Sequence, residues 1–248
     1  MSLLTHYRLC PFSRSIRLAL AELQLPVEFA EELPWEWRPE FLALNPSGDL
    51  PVLVRGSGVV IAGSYAISEY LADIESAAPP DQITMTLFAG SSEARAETRR
   101  LVDWFHGKLD REVTREMLRE RLHSRLRSEL VSQAPDADLI RALRTNLRYH
   151  LSYLNHLADQ RRWLAGETSS FADLAAAAHL SCLDYIGEVP WEGYPAARDW
   201  YQRIKSRPSF RPLLADRCPG VPPPPALRRP GLLTGQVVRH AKVHRRSV

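Results

Sequence analysis

Residues 51–64 read Pro51-Val52-Leu53-Val54-Arg55-Gly56-Ser57-Gly58-Val59-Val60-Ile61-Ala62-Gly63-Ser64. Two short apolar runs, Pro51 to Val54 and Val59 to Ala62, flank a four-residue link containing two glycines, and so short a connection demands an antiparallel hairpin. Ser64 then stands where a helix N-cap is expected, ahead of Ile67, Tyr70, Leu71 and Ile74 on one helical face. Upstream, Leu3 to Arg8 is a short apolar-rich run, and Pro11 opens a segment with Ile16, Ala19, Leu20 and Leu23 at helical spacing. Pro26 to Ala30 alternates apolar and polar residues as a half-buried strand does, a short helix is expected over Pro39 to Leu44, and Asn45-Pro46-Ser47-Gly48 is a turn. The predicted order is β-α-β-α-β-β-α over residues 1–76.

Downstream the pattern changes. Ser76-Ala77-Ala78-Pro79-Pro80-Asp81 is a linker by composition, placed at residues 77–84, and no convincing strand follows it. Helical patterns cover about 92–131 and 138–160, the second carrying Leu143, Leu147, Leu151, Leu154 and Leu157 in a three-to-four-residue rhythm. Residues 85–218 therefore read as an all-helical bundle. Ser170-Phe171-Ala172-Asp173 is a capping-box pattern, and the apolar run Leu174 to Leu183 behind it predicts the buried central helix. A further helix is expected from about Pro195 to Ser206, stopped by Arg207-Pro208. Five prolines between Pro219 and Pro225 end the packed part, and residues 219–248 read as a Pro-rich, then basic, extended tail.

The chain has 248 residues, 45% apolar and 25% charged, with 12 Gly and 3 Cys. These proportions exclude collagen-like, disulfide-stapled and wholly disordered classes. The start of the chain lacks the pattern of a secretory signal, and no apolar stretch is long enough to span a bilayer, which predicts a cytoplasmic protein. The formal net charge of +3 is uneven. Residues 1–80 hold five Arg against ten Asp or Glu, whereas residues 226–248 hold six basic residues and no acid. Basicity thus belongs to the tail, and the core carries no nucleic-acid signal. For the tail the readings are disorder, or a basic helix (Leu233, Val237 and Ala241 spaced by four) touching anionic lipid or an acidic protein, with nucleic acid third.

Four pieces together carry a family resemblance: Cys10-Pro11-Phe12-Ser13-Arg14 after the first strand, Asn45-Pro46 followed by Leu50-Pro51-Val52-Leu53, Ser64-Tyr65-Ala66-Ile67, and the Ser170 to Asp173 cap. In this order the chain resembles the cytosolic glutathione transferase superfamily over residues 3 to about 216. The resemblance implies the glutathione transferase fold: an α/β N-terminal thioredoxin-like domain beside an all-α helix bundle, usually in a symmetric homodimer, with a cis peptide before Pro51. It also implies a peptide-holding site, with Leu50 and Pro51 pairing an extended glutathione as an added strand and Ser64, with the amides behind it, receiving its carboxylate. A plain N-cap is the other reading of Ser64.

Cys10 is the candidate catalytic residue. At the start of a helix, with Pro11 at the first helical position, the dipole and unpaired amides favour a thiolate able to attack disulfides or to form a mixed disulfide with glutathione. The competing reading is a small buried residue at a helix start. Cys182 reads as packing and Cys218 as incidental. One departure from the family is plain: an acid commonly precedes the serine to hold the ligand's amino group, and here the residue is Gly63. Losing that partner removes a charge-assisted bond worth about 1.5–3 kcal/mol, so glutathione is expected to bind weakly unless another acid such as Glu69 substitutes.

Within the superfamily the chain is similar to the alphaproteobacterial FtsZ-binding transferase-like division regulators, through Pro34-Trp35-Glu36-Trp37-Arg38-Pro39-Glu40-Phe41, Lys108 to Glu120, Phe171 to Trp191 and Lys205 to Pro222. That resemblance implies an FtsZ-filament partner and a regulatory rather than a catalytic role, the alternative being a Cys10-dependent glutathione thiol transferase or disulfide reductase. Trp35, Trp37 and Arg38 match the Trp and Arg enrichment of binding hot spots, with ligand-site wall and core as the other readings. Arg115 and Arg119 belong to a helix whose opposite charges recur three or four residues apart, either a solvated face or a polar strip for a partner. Trp104 reads as core. His106, His123, His150 and His156 lack ligand spacing, so no metal site is expected.

Overall fold

The computed structural model describes residues 1–79, 85–123 and 135–218. The tail from 219, the end of the linker at 80–84 and the expected end of the first long helix at 124–131 lie outside the described residues.

The N-terminal part follows the predicted order. Strand β1 (Ser2–His6) pairs in parallel with β2 (Val27–Glu31) and antiparallel with β3 (Val52–Val54), which pairs antiparallel with β4 (Val60–Ala62), so the sheet runs β2-β1-β3-β4. The parallel step needs a crossover, supplied by α1 (Pro11–Glu22); α2 (Pro39–Leu44) and α3 (Ser64–Ser76) complete the unit. The Leu50–Pro51 peptide is cis, as the family resemblance implies. On β2 the expected alternation fails: Phe29 is exposed, because β2 is an edge strand and the Arg17 guanidinium from α1 lies over its ring, 5.7 Å from the centroid.

The start of α3 corrects one expectation. Gly63, not Ser64, is the N-cap, and Ser64 is the first helical residue. The Gly63 amide donates to the Pro51 carbonyl (2.9 Å) while its own carbonyl accepts from Ile67 (3.1 Å), so it closes the hairpin and opens the helix at once. Its φ of 87° and ψ of 145° belong to a region that only glycine occupies without strain.

Beyond Ala62 the named elements are helices, and Trp163 and Gly166 form an isolated bridge. Helix α4 (Ser92–Asp103) is capped by Ser91, widens to π-helical turns over Trp104–Thr114, narrows to α5 (Arg115–Leu118) and widens again over Arg119–His123. Then follow α6 (Ala137–Gln160), α7 (Phe171–Tyr185) and α8 (Pro195–Lys205). A short α9 (Arg211–Ala215) follows the single turn Pro208–Phe210, and five residues are too few to leave a periodic signature in sequence.

The capping box at the start of α7 is formed. Asp173 accepts from the Ser170 amide (2.9 Å), and beyond the box from the Leu164 amide (3.0 Å) and Trp200 Nε1 (2.9 Å). From Phe171 to Leu183 every residue of α7 is buried, as the apolar run predicts. Helix α1 packs on α7, with Arg14 of α1 donating to Ser181 Oγ of α7 (2.7 Å), so the sheet unit and the bundle share one large apolar core. Trp104 is partly buried at the edge of that core, its Nε1 donating to His150 Nδ1 (3.1 Å).

Candidate functional site

Cys10 is the N-cap of α1. Its Sγ accepts from the Ser13 amide (3.4 Å), and the thiol points to the Leu50 carbonyl at 3.9 Å, so Cys10 and the cis-proline loop do meet. The expected lowering of its pKa is not found. Burial pushes the Cys10 thiol up, and the opposing bonds from the first helical turn do not reverse it; the negative charge of Asp110 adds in the same direction. Asp110, a residue sequence reasoning missed, is buried in the wide-turn segment and ion-pairs with Arg115 at 2.8 Å. Asp110 and Arg115 are five residues apart, the spacing that an i→i+5 helix brings to one face.

A second apolar cluster explains the burial. Leu50, Tyr7 and Phe41 come from the sheet unit, Leu118, Cys182 and Tyr185 from the bundle, and Cys10 and Trp35 pack at its margin. Cys182 is packing as expected, its thiol pushed up to about 12 by burial. Cys218 corrects the expectation of an incidental thiol: it is buried in this cluster, its Sγ 3.3 Å from Tyr7 Oη and its amide donating to Tyr185 Oη (2.8 Å). Just before it, Asp216 ion-pairs with Arg14 (3.3 Å) and Arg17 (2.8 Å), and the Arg217 carbonyl accepts from Arg8. The end of the described chain is thereby clamped to the sheet unit beside the Cys10 site. No sequence pattern links positions about two hundred residues apart, which is why this was not foreseen.

Ser64 is buried at the first turn of α3, with Gly63 before it. A Cβ on Gly63 would meet nothing within 4 Å, so the space for a side chain exists. Glu69 does not substitute for the absent acid: both of its oxygens accept from Arg99 at 2.9 Å. Among the described residues no group of His, Cys, Asp and Glu is arranged to hold a metal ion.

Trp35 and Trp37, two positions apart, have opposite fates. Trp35 turns inward and meets the Tyr7 ring edge-to-face, centroids 5.2 Å apart. Trp37 is 58% exposed. Its φ of 49° is left-handed, an outlier for a bulky residue. Its indole lies over Gly48, where an added Cβ would stand 2.8 Å from Cζ3, so glycine is what lets the ring settle there. Arg38, half exposed, is clamped by the buried Glu32 (3.0 Å from Nε). Arg115 and Arg119 are exposed on the stretch whose Leu118 packs with Trp35 in the second cluster; Arg119 pairs with Glu116 at 2.6 Å. The structure therefore exposes Trp37, Arg38, Arg115 and Arg119, while Trp35 is partly buried against the second cluster.

A thioredoxin-like sheet, a cis-proline facing a helix-start cysteine and an appended helical bundle define the glutathione S-transferase class, and the chain belongs to that family. Residues 4–79 match the model of the glutathione S-transferase N-terminal domain, and residues 121–208 that of the C-terminal domain. The chain is 46% identical over 223 residues to FtsZ-localized protein A of Caulobacter vibrioides, covering 89% of this chain and 93% of that protein. The solved structure of FzlA from C. crescentus superposes with a TM-score of 0.85 at 44% identity, covering 91% of this chain and 97% of that one. A crystal structure of a glutathione S-transferase from Rhodospirillum rubrum matches equally, with a TM-score of 0.85 at 45% identity over 92% and 98% of the two chains. Among the described residues no helix is long and apolar enough to cross a membrane.

Proposed function

We propose that this chain is a glutathione-transferase-fold regulatory protein that binds the FtsZ filament, works in the cytoplasm as a homodimer, and has weak or no glutathione chemistry. The observation that carries the reading is the presentation of Trp37. A large apolar ring is held exposed in a strained backbone conformation, seated on a glycine, next to an arginine clamped by a buried acid. Strain of about 1–3 kcal/mol persists only where the surroundings enforce it, and it clusters at functional positions. The similarity to a protein named for its localisation with FtsZ supports the identity of the partner. Trp37 and Arg38 are the anchors, and Trp35, Arg115 and Arg119 are further contacts. The six basic residues after Pro225 are a further contact for anionic lipid or an acidic protein. Exposed Val59, Val60 and Tyr65, on the hairpin and the start of α3, form the apolar face that a second copy covers.

Sedimentation with FtsZ assembled on GTP tests the proposal. The wild-type protein enters the pellet with polymer, and Trp37→Ala reduces this at least tenfold while leaving the melting temperature within about 2 °C, because an exposed ring contributes little to folding. Wild-type protein that stays in the supernatant at tens of micromolar removes the FtsZ reading.

The second reading, a glutathione-dependent thiol transferase or disulfide reductase, has one specific observation in its favour: the Cys10 sulfur sits at a helix N-terminus and accepts an amide hydrogen bond. On that reading Leu50, Pro51 and Ser64 hold the glutathione half of a disulfide; the Cys10 thiolate attacks its sulfur, forming the Cys10–glutathione mixed disulfide and releasing the other half as a thiol, and the thiolate of a second glutathione then frees Cys10 as glutathione disulfide. Disulfide reduction abolished in Cys10→Ser favours this reading; equal activity in that variant removes Cys10 as nucleophile.

A further inference from the structure

Four side chains from three elements, three of them buried and His106 partly so, form a chain at the junction of the sheet unit and the bundle. Ser15 Oγ on α1 donates to the Phe12 carbonyl (2.8 Å). A hydroxyl has one hydrogen, so Ser15 Oγ is the acceptor in its 3.1 Å contact with His106 Nε2, and that nitrogen carries the proton. In a neutral imidazole the other nitrogen accepts, so His106 Nδ1 receives a hydrogen from His179 Nε2 at 3.0 Å. His179 Nδ1 in turn accepts from Thr114 Oγ1 at 3.0 Å. Each link fixes the next, and the direction runs from Thr114 through His179 and His106 to Ser15 and the first turn of α1. His179 is fully buried, and Phe12 packs its ring against both imidazoles, with centroids 4.9 and 5.6 Å away.

The chain takes one added proton only by rearranging and has no place for two. One proton on His106 Nδ1 would face the Nε2 hydrogen of His179 across 3.0 Å unless His179 changed tautomer and Thr114 turned round; a further proton would set two N–H groups against each other. The groups around the pair do not favour a positive charge. His179 feels His106 and His150 of α6, both opposing protonation. From α1 come Ser15 and Phe12, and from the first turn of α7 the Phe171 ring, 6.1 Å from that of His106, none of them charged. Burial alone takes His106 down to about 3.

We propose that this chain is an interdomain latch in which His106 and His179 are positioning residues: they hold the Cys10 turn and the first turn of α1 against the helical domain, in an arrangement that stands unaltered only while both imidazoles are neutral, so that acidification loosens that turn. The latch is independent of whether the protein's partner is a filament or a thiol substrate, because it acts on the packing of α1 against the bundle.

Nitrogen-15 imidazole spectra of the full chain, with alkylation of Cys10 followed by peptide mass spectrometry, test it. Both imidazoles should show the Nε2-H tautomer and remain neutral to pH 5, and Thr114→Val should raise the Cys10 alkylation rate at pH 7.5 at least fivefold, with Thr114→Ser restoring it. Exchange of the α1 amides, corrected for intrinsic rates and compared with those of α6, should rise between pH 7.5 and 5 by about thirtyfold for each imidazole that must stay neutral. Either imidazole in the Nδ1-H form, titration of either near 6.5, or Thr114→Val that folds with an unchanged Cys10 rate overturns the proposal. If Thr114→Val does not fold, Ser15→Ala replaces it with the same expected rise, and an unchanged rate there is equally contrary.

Discussion

On the proposed reading, Gly63 stands where the peptide site lacks its acid. Its backbone, at φ 87°, takes a conformation a glutamate would pay for in strain, yet the direction of its missing Cβ is open. Gly63→Glu should therefore destabilise the protein by about 1–3 kcal/mol while tightening glutathione at least tenfold, through the charge-assisted bond it restores; urea titration and calorimetry read the two effects separately. No change in glutathione affinity would mean that the ligand's amine lies elsewhere. At this scale the sequence was legible where chemistry is local. The helix-start position of Cys10 and the absent acid follow from adjacent residues. The direction of the Cys10 pKa does not, because the apolar cluster that Cys10 packs against draws Leu118, Cys182 and Cys218 from distant parts of the chain.

Among the elements, α7 is the one on which the bundle is built, and Asp173 is its anchor. Burial pushes this carboxyl up, while four donors from Leu164, Trp200 and Ser170 pull the other way. Asp173→Ala strands buried donors worth about 1–3 kcal/mol each, so a loss of at least about 3 kcal/mol is expected in urea unfolding, seen as a lower midpoint at unchanged slope. A loss below about 1 kcal/mol would show that water reaches these donors. The capping box and the apolar run made this helix readable before any coordinates. The wide turns of Trp104–Thr114 were not readable, since i→i+5 bonding is imposed by neighbours and not by local propensity. The same holds for the two tryptophans: periodicity cannot say that Trp35 turns inward and Trp37 outward, because a left-handed φ at Trp37 sets the difference.

For the molecule as a whole, the join between the sheet unit and the bundle carries the consequences. Asp216 holds the buried Arg14 and Arg17, so Asp216→Ala leaves an uncompensated buried charge and should cost about 3–5 kcal/mol in unfolding free energy; a neutral result would mean that Ser181 and the Arg8 carbonyl alone satisfy Arg14. Acidity acts on the same join. His6 and His106 are each held down to about 3, and His179 well below 6.5, in every case by burial first. Groups kept neutral in the fold contribute full stability above the unfolded value of 6.5 and lose it as pH falls below that value, by about 2 kcal/mol each at pH 5. Thermal melts from pH 8 to 5 should be flat above 7 and fall steeply below 6.5; a melting temperature unchanged at pH 5 would contradict the buried, neutral placement. The two-part architecture was visible in the order of strands and helices. The clamp and the histidine chain were not, since both join positions scores of residues apart.

On the proposed reading, the transferase fold keeps its peptide-binding architecture but has lost its hold on glutathione, and a surface around Trp37 does the binding. Calorimetric titration of the purified wild-type chain with reduced glutathione tests this most directly. Saturation is expected only in the millimolar range, or no heat at all; saturation at micromolar glutathione would overturn the reading.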